Sequence, residues 1–431
     1  MGTTLIRGAR QLLTVRGPRG PRCGPALKEL GVIQDGALLI RDGVIAEVGP
    51  TRRVENLGAA RQAEEINAAG RVVMPGFVDS HTHLILPPAG GGDDVARAIR
   101  AIGGLRLKMR AQGCLQAMAR NGTTTVEVKT GCGPDSSGEN KVLRVLANLK
   151  SDPLEVVPTF LFRLPPSADE GQLRSAAEWA VREMLPRLRK RRLARFADLA
   201  WEAGAERAEI FARYLDAAHR LGFGVKMHAD GLGVGAAVVM AVGRFATSID
   251  HLECASAAEA ALLAGSCTIA TLLPCEPFQN GTGDAPARDL IDAGAAVALA
   301  SNFNPRLSPM PNMQTVVELA CLRMGMTAAE AISAATINGA HALGRADRIG
   351  SLELGKYADV LILNVSDYRE LARGFGTNLV RTAIKRGERI YEEGEVSGPE
   401  ATLQQSPRTG PGNLSAERRP HSGFVPDAKG W

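Results

Sequence analysis

The stretch Val72-Val73-Met74-Pro75-Gly76-Phe77-Val78-Asp79-Ser80-His81-Thr82-His83 decides the fold. It starts as an apolar run of strand length and ends on two imidazoles one residue apart. Side chains at i and i+2 of an extended segment point the same way. Both imidazoles therefore leave one face of the strand's C-terminal end. The first strand is read over 72–79. Seven further apolar runs follow, at 123–129, 155–161, 208–211, 225–228, 247–251, 268–273 and 296–301, with helix-length sequence between them. Short strands alternating with helices imply parallel βα units. Eight such units within residues 71–355 predict a closed (β/α)8 TIM barrel rather than an open sheet.

The flanks read differently. Residues 1–70 form short strands, and within 37–48 two β-type runs meet at Asp42-Gly43, a pair suited to the positive φ of a tight hairpin. Strand character returns at 358–363 and 384–391. The expected organisation is a small composite β-sandwich made from residues 1–70 and 356–396, with the barrel of 71–355 inserted between its halves. Residues 397–431 are rich in Pro, Gly and Ser without periodicity and read as a disordered tail.

The 431 residues are 45% hydrophobic and 23% charged, as expected of a soluble globular chain. A net charge of +5 is weak for this length, and the basic residues are scattered, which argues against nucleic acid as a partner. The densest basic run, Arg187 to Arg195, is expected on a solvated helix face. Seven cysteines, an odd number with no CxxC pair, argue against a disulfide framework and against a thiolate zinc site. No run has the length of a membrane span or the pattern of a signal peptide, so the expected location is cytoplasmic, with no membrane partner.

The chain has seven histidines. His228 and His251 also end predicted strands, so four of the seven fall at the rim where barrel enzymes place their chemistry. Neutral imidazoles gathered on one rim are ligands for a divalent metal. The competing reading, satisfied core histidines, has to make that grouping a coincidence, as does an unrelated aldolase or isomerase barrel. His219 and His341 lie in helical patterns and His421 in the tail, and none of the three is expected to function. Lys129 ends the second strand. Its ammonium needs a carboxylate, a substrate anion or a metal's water as partner, unless it snorkels to the rim.

The order Pro75-Gly76-Phe77-Val78-Asp79-Ser80-His81-Thr82-His83, Glu127-Val128-Lys129-Thr130-Gly131, His228-Ala229-Asp230 and Asp250-His251-Leu252 resembles the amidohydrolase superfamily. Within it, the sequence is most similar to the imidazolonepropionases, which open the ring of 4-imidazolone-5-propionate in histidine breakdown to formiminoglutamate. Thr271-Leu272-Leu273-Pro274, Phe303-Asn304-Pro305 and Gly350 to Lys356 support the likeness, which spans about residues 3–393. The resemblance implies one zinc or iron ion held by His81, His83 and His228, with His251 holding the metal's water, Lys129 in the catalytic set, a small cyclic amide as substrate, and a homodimer.

The matches stop at the substrate shell. Where that family has an aspartate that binds metal and takes the water's proton, this chain has Asn302, whose carbonyl oxygen can coordinate but which is no general base. Cys132 stands in place of a tyrosine and Gly231 in place of a glutamate. The family's Gly-Ala-His has no counterpart in Phe160-Leu161-Phe162-Arg163-Leu164, and an arginine expected after His83 is replaced by Leu86-Pro87-Pro88-Ala89-Gly90. Cys132, Asn304 and Arg306 are the remaining candidates for substrate contact. Asp230, Asp250 and His251 are candidates to receive the proton, with Asp250 expected to point away from the axis because it precedes His251 on a strand. Two functions stay open: a hydrolase opening a cyclic amide C–N bond, for which imidazolonepropionate would be a poor substrate, and a diverged metal-binding barrel with little or no catalysis.

Overall fold

The computed structural model describes residues 2–87, 95–149, 153–164, 168–201, 207–229 and 233–394. Asp230, Gly231, Pro88 to Gly90 and the tail expected at 397–431 lie outside the described residues. One compact unit runs from Met1 to Glu393.

A first sheet is built from both ends of the chain: β1 (Thr3–Leu13), β2 (Val32–Arg41), β3 (Val44–Pro50), β4 (Glu64–Asn67), β5 (Val72–Pro75), β14 (Val360–Leu363), β15 (Val380–Lys385) and β16 (Glu388–Glu392). Its order is β16-β15-β14-β5-β1-β2-β3, with β4 also on β1. Its two wings meet: the Ala358 N–H donates to the Gly43 carbonyl, and the Gly387 N–H donates to Ala358. Ile6, Leu12, Leu38, Ile40, Val73, Val360, Ile362 and Ile384 pack as one cluster between them.

The second sheet is the barrel: β6 (Phe77–Asp79), β7 (Thr123–Lys129), β8 (Glu155–Phe162), β9 (Phe196–Ala200), β10 (Gly224–Ala229), β11 (Ser248–His251), β12 (Ile269–Leu272) and β13 (Val297–Leu299), parallel throughout and neighbours in chain order. Every residue of β7, β8 and β9 is buried, as expected of parallel strands covered on both faces. The seam between β13 and β6 is closed by side chains and the segments beyond the strands. Asp79 accepts from the Ser301 backbone N–H at 3.0 Å and from its hydroxyl at 2.5 Å. The His83 N–H donates to the Phe303 carbonyl at 2.8 Å, and Thr82 bridges Phe303. Burial raises the Asp79 carboxyl to about 6.

Three expected strands are corrected. The run at 208–211 is the start of a helix, Ala208–Arg220, whose Ile210, Phe211, Tyr214, Leu215 and Ala218 are buried at helical spacing. The fourth barrel strand is Phe196–Ala200 instead. Asp198 in its middle breaks the apolar pattern, and Lys129 stabilises its charge from across the barrel. The run at 72–79 is two strands: β5 pairs with β1 and β14, whereas β6 pairs with β7. Gly76 sits at the break, where a Cβ would meet the Thr124 side chain at 2.3 Å. The run at 384–391 is a hairpin, because Arg386 and Gly387 both take positive φ (49° and 80°) and turn the chain. Among the described residues no helix is long and apolar enough to cross a membrane.

Candidate metal centre

The strand ends bring four imidazoles together. His81 and His83 follow β6, His228 lies near the end of β10, and His251 ends β11. His81 is 4.6 Å from His228, 5.1 Å from His83 and 5.5 Å from His251, between ring centroids. His228 is 5.5 Å from His251 and 5.7 Å from His83. All four are buried.

Two of the rings are oriented from behind. His81 Nδ1 donates to Asp250 Oδ2 at 2.7 Å, and His228 Nδ1 donates to Asp198 Oδ1 at 3.2 Å. A carboxylate on Nδ1 fixes the tautomer and leaves the Nε2 lone pair for a metal. Burial, then the nearby Lys129 ammonium, holds His81 well below the usual imidazole range, and burial followed by His228 does the same for His83. Both rings are therefore neutral, as ligands must be.

The donor set fits a divalent ion. His228 Nε2 and His83 Nδ1 are buried without a hydrogen-bond partner. The Nε2 atoms of His81 and His83 lie 3.2 Å apart. Two nitrogens at about 2.0–2.1 Å from a tetrahedral zinc stand roughly 3.3 Å from one another. His81, His228 and His251 each offer a nitrogen within 4.8 Å of the others. The structure thus groups His251 with two of the expected ligands and sets the third, His83, against His81.

Beneath the imidazoles lies a layer of buried charge. Lys129 Nζ touches Asp198 Oδ2 at 2.5 Å, Asp250 Oδ2 at 3.1 Å and Glu127 Oε2 at 3.1 Å. Lys226 Nζ holds Glu127 Oε2 at 2.6 Å and donates to the Ser80 carbonyl at 3.0 Å. Of the partners expected for Lys129, the structure supplies carboxylates. Desolvation favours neutral Lys129, but Asp198, Glu127 and Asp250 together outweigh it and hold the ammonium above its usual range. Asp250 corrects the sequence reading: its carboxylate points into the barrel. His251 ends the strand at φ 82°, so the two-residue alternation breaks there, and Asp250 and His251 both reach the interior. Burial pushes Asp250 up, but Lys129, Lys226 and His81 bring it well below the usual carboxylate range.

Asn302 follows β13 at φ 50° and is buried. Its Nδ2 donates to Glu276 Oε2, and its Oδ1 is buried without a partner. Glu276 lies in the short helix Cys275–Asn280 that follows β12. His251 Nδ1 faces Glu253 Oε1 at 3.4 Å. Cys132 is buried among Leu84, Leu86, Val128 and Phe303, and burial pushes its thiol far up, so it stays protonated. Asn304 and Arg306 share a turn in which Asn304 Oδ1 accepts from the Arg306 N–H at 3.0 Å.

Sequence reasoning missed Asp198, Glu276 and Trp201. Asp198 was hidden in a strand that its own charge disguised. Glu276 had a signal, an acid directly after Thr271-Leu272-Leu273-Pro274-Cys275. Trp201 follows β9 with its N–H on the His228 carbonyl at 3.1 Å and its indole Nε1 buried without a partner, which no local pattern announces.

The amidohydrolase family model matches residues 72–390. The imidazolonepropionase of Solibacter usitatus is 37% identical over 415 residues, covering 91% of this chain and 99% of that protein. That of Parabacteroides distasonis is 39% identical over 411 residues, covering 89% and 98%. Among solved structures, atrazine chlorohydrolase from Arthrobacter aurescens complexed with zinc superposes with a TM-score of 0.72 at 17% identity, covering 93% of this chain and 98% of that one. Guanine deaminase of E. coli gives 0.68 at 16% identity, covering 91% and 100%. At such identities the structural likeness bears on fold alone.

Proposed function

Because the chain belongs to the amidohydrolase family, we propose that it is a metal-dependent hydrolase that opens the C–N bond of a small cyclic amide. One observation carries this reading: four buried imidazoles gathered at one end of the barrel, two of them held at Nδ1 by Asp250 and Asp198. In it, His81, His83 and His228 would hold a single zinc or iron ion, and the Asn302 carbonyl oxygen, buried without a partner, would be a further ligand. Such an ion polarises a carbonyl and brings the pKa of its water from near 16 towards about 7.

The protein's own groups do the rest. Asp250 cannot take the proton, since its oxygens are engaged by His81, Lys129 and Ser248 and its basicity is depressed. Asn302 has no basic atom. Of the remaining candidates, Asp230 lies outside the described residues, and the reading assigns the proton to His251, whose Nδ1 faces Glu253 Oε1 at 3.4 Å, an arrangement of base and orienting carboxylate. His251 takes a proton from the attacking water and returns it to the leaving nitrogen. Imidazolonepropionate is the first compound to test, and other cyclic amides of similar size follow.

The second reading, a metal-binding barrel with little or no catalysis, is favoured by Asn302 alone. Losing a general base costs about 10²–10⁴ in rate. Elemental analysis of the purified protein, with turnover of imidazolonepropionate and a panel of cyclic amides, separates the two. About one equivalent of metal with turnover supports the hydrolase. Metal without turnover of any member supports the binding barrel, and no metal defeats both.

A further inference from the structure

The basic run Arg187 to Arg195 is not simply a solvated face. The helix Leu185–Arg191 ends as Arg192 takes a left-handed conformation, φ 52°, and the chain then drops into β9. That geometry sends Arg189, Arg192 and Arg195 to the wall of a cavity of about 620 Å³, joined there by Arg345 and Arg386. The floor is the start of the barrel strands: Glu155 opens β8, Phe196 opens β9, Gly224 opens β10, and Thr247 immediately precedes β11. The cavity therefore occupies the N-terminal mouth of the barrel, at the opposite ends of the strands from the histidines.

The charge balance is one-sided. Five arginines line the space, and among the described residues Glu155 is the one acid lining it. Glu155 is consumed: Oε1 pairs with Arg345, while Oε2 accepts from Arg386 at 2.8 Å and lies 3.5 Å from Lys385. Arg195 spends its donors on the Leu343 and Gly344 carbonyls. Arg189 and Arg192 have no acidic partner among the described residues. Arg345 and Arg386 each keep a buried Nε–H with no acceptor. Buried donors without acceptors are costly, and guanidinium forks match phosphate oxygens in pairs. The volume lies within the range of small-molecule sites.

We propose that this cavity is a second ligand site, separate from the metal centre, for a small phosphate-bearing anion of at least two charges, of the pyrophosphate or nucleoside diphosphate class. The anion would be clamped by Arg189 and Arg192, with the Arg345 and Arg386 guanidinium groups beside them on the wall adding positive charge.

The test is calorimetric titration of the full-length, metal-loaded protein with inorganic pyrophosphate and, separately, with ADP, at 150 mM salt. The expected result is saturable binding of one equivalent of at least one probe, weakened about tenfold or more in Arg189→Gln/Arg192→Gln. Lys190→Gln/Arg191→Gln, on the same helix but off the cavity wall, should change it less than about twofold. Comparable affinity for both probes identifies the diphosphate as the recognised group, and tighter ADP identifies a nucleotide. No saturable binding of either at millimolar concentration overturns the proposal. So does binding that Arg189→Gln/Arg192→Gln leaves unchanged, since that anion would be held elsewhere, the metal centre included. Equal loss in both double variants would reduce the effect to diffuse charge and overturn it too. All four positions are exposed, so the variants are expected to fold.

Discussion

Asn302 gives its amide N–H to the Glu276 carboxylate. An ionised carboxylate only accepts, so the amide nitrogen must face it and the Asn302 carbonyl oxygen must turn the other way. The acid of this corner therefore sits on the short helix after β12 rather than on the segment after β13, and the two residues form one unit.

That coupling changes what Asn302→Asp should do. Alone, the substitution sets two carboxylates against each other and removes the hydrogen bond, a loss of about 1–3 kcal/mol. Adding Glu276→Gln restores a donor–acceptor pair with the roles exchanged. The double variant should recover the stability, bind metal on the order of tenfold more tightly than the parent because an anion joins neutral imidazoles, and raise hydrolysis of any accepted substrate by about 10²-fold. Urea unfolding, chelator competition and turnover on the same preparations check all three. Additive effects of the two substitutions would mean the pair does not act as a unit.

Asp250→Asn should lower metal affinity by about 10–100-fold without touching a metal ligand, since it releases the ring of His81. Metal content after dialysis against a graded chelator series measures it. Retention of full affinity would show that His81 is held by packing rather than by its carboxylate.

Lys129 separates a structural from a chemical role. Its ammonium is fully buried among Asp198, Asp250 and Glu127. Lys129→Met should cost about 3–5 kcal/mol in urea unfolding, because three carboxylates lose their shared counter-charge. A variant of parental stability that has lost only turnover would instead make the lysine a participant in the reaction.

Periodicity exposed the parts of this molecule that obey it. Seven of the eight barrel strands were legible because a buried parallel strand is a short apolar run, and the imidazoles were legible because alternation puts His81 and His83 on one face. The strand Phe196–Ala200 was not legible, since Asp198 makes sense only once Lys129 is opposite it, 69 positions away in sequence but 2.5 Å away in space. Asp250 was misread for a related reason: alternation fails where His251 adopts positive φ, and that is set by the barrel rim and not by neighbouring residues. The Arg189 to Arg195 wall needed Arg345 and Arg386 from distant segments before it became a cavity.

Glu139 makes stability depend on pH in a definite direction. It is fully buried, its Oε1 accepts the Cys132 N–H at 2.8 Å and the Gly131 N–H at 3.3 Å, and burial above all raises its carboxyl to about 7 from an ordinary 4.5. Between those two values the native state keeps a proton that the unfolded chain releases. The unfolded state then binds fewer protons, so stability falls as pH rises through about 4.5 to 7 and levels off above. For this one group the loss is on the order of 3 kcal/mol. Asp79, raised to about 6, adds a loss of the same sign over the lower part of that window. The depressed Asp198 and Asp250 act in the opposite sense, but below pH 4, where they protonate. Glu139→Gln keeps an oxygen for the two backbone donors and has nothing to ionise. Urea unfolding at pH 5 and pH 8 should therefore show a smaller drop in the variant than in the parent, whatever constant penalty the amide introduces at both. Parallel pH profiles for the two proteins would mean that Glu139 ionises as readily in the fold as out of it, and that its contacts at Gly131 and Cys132 compensate its burial in full.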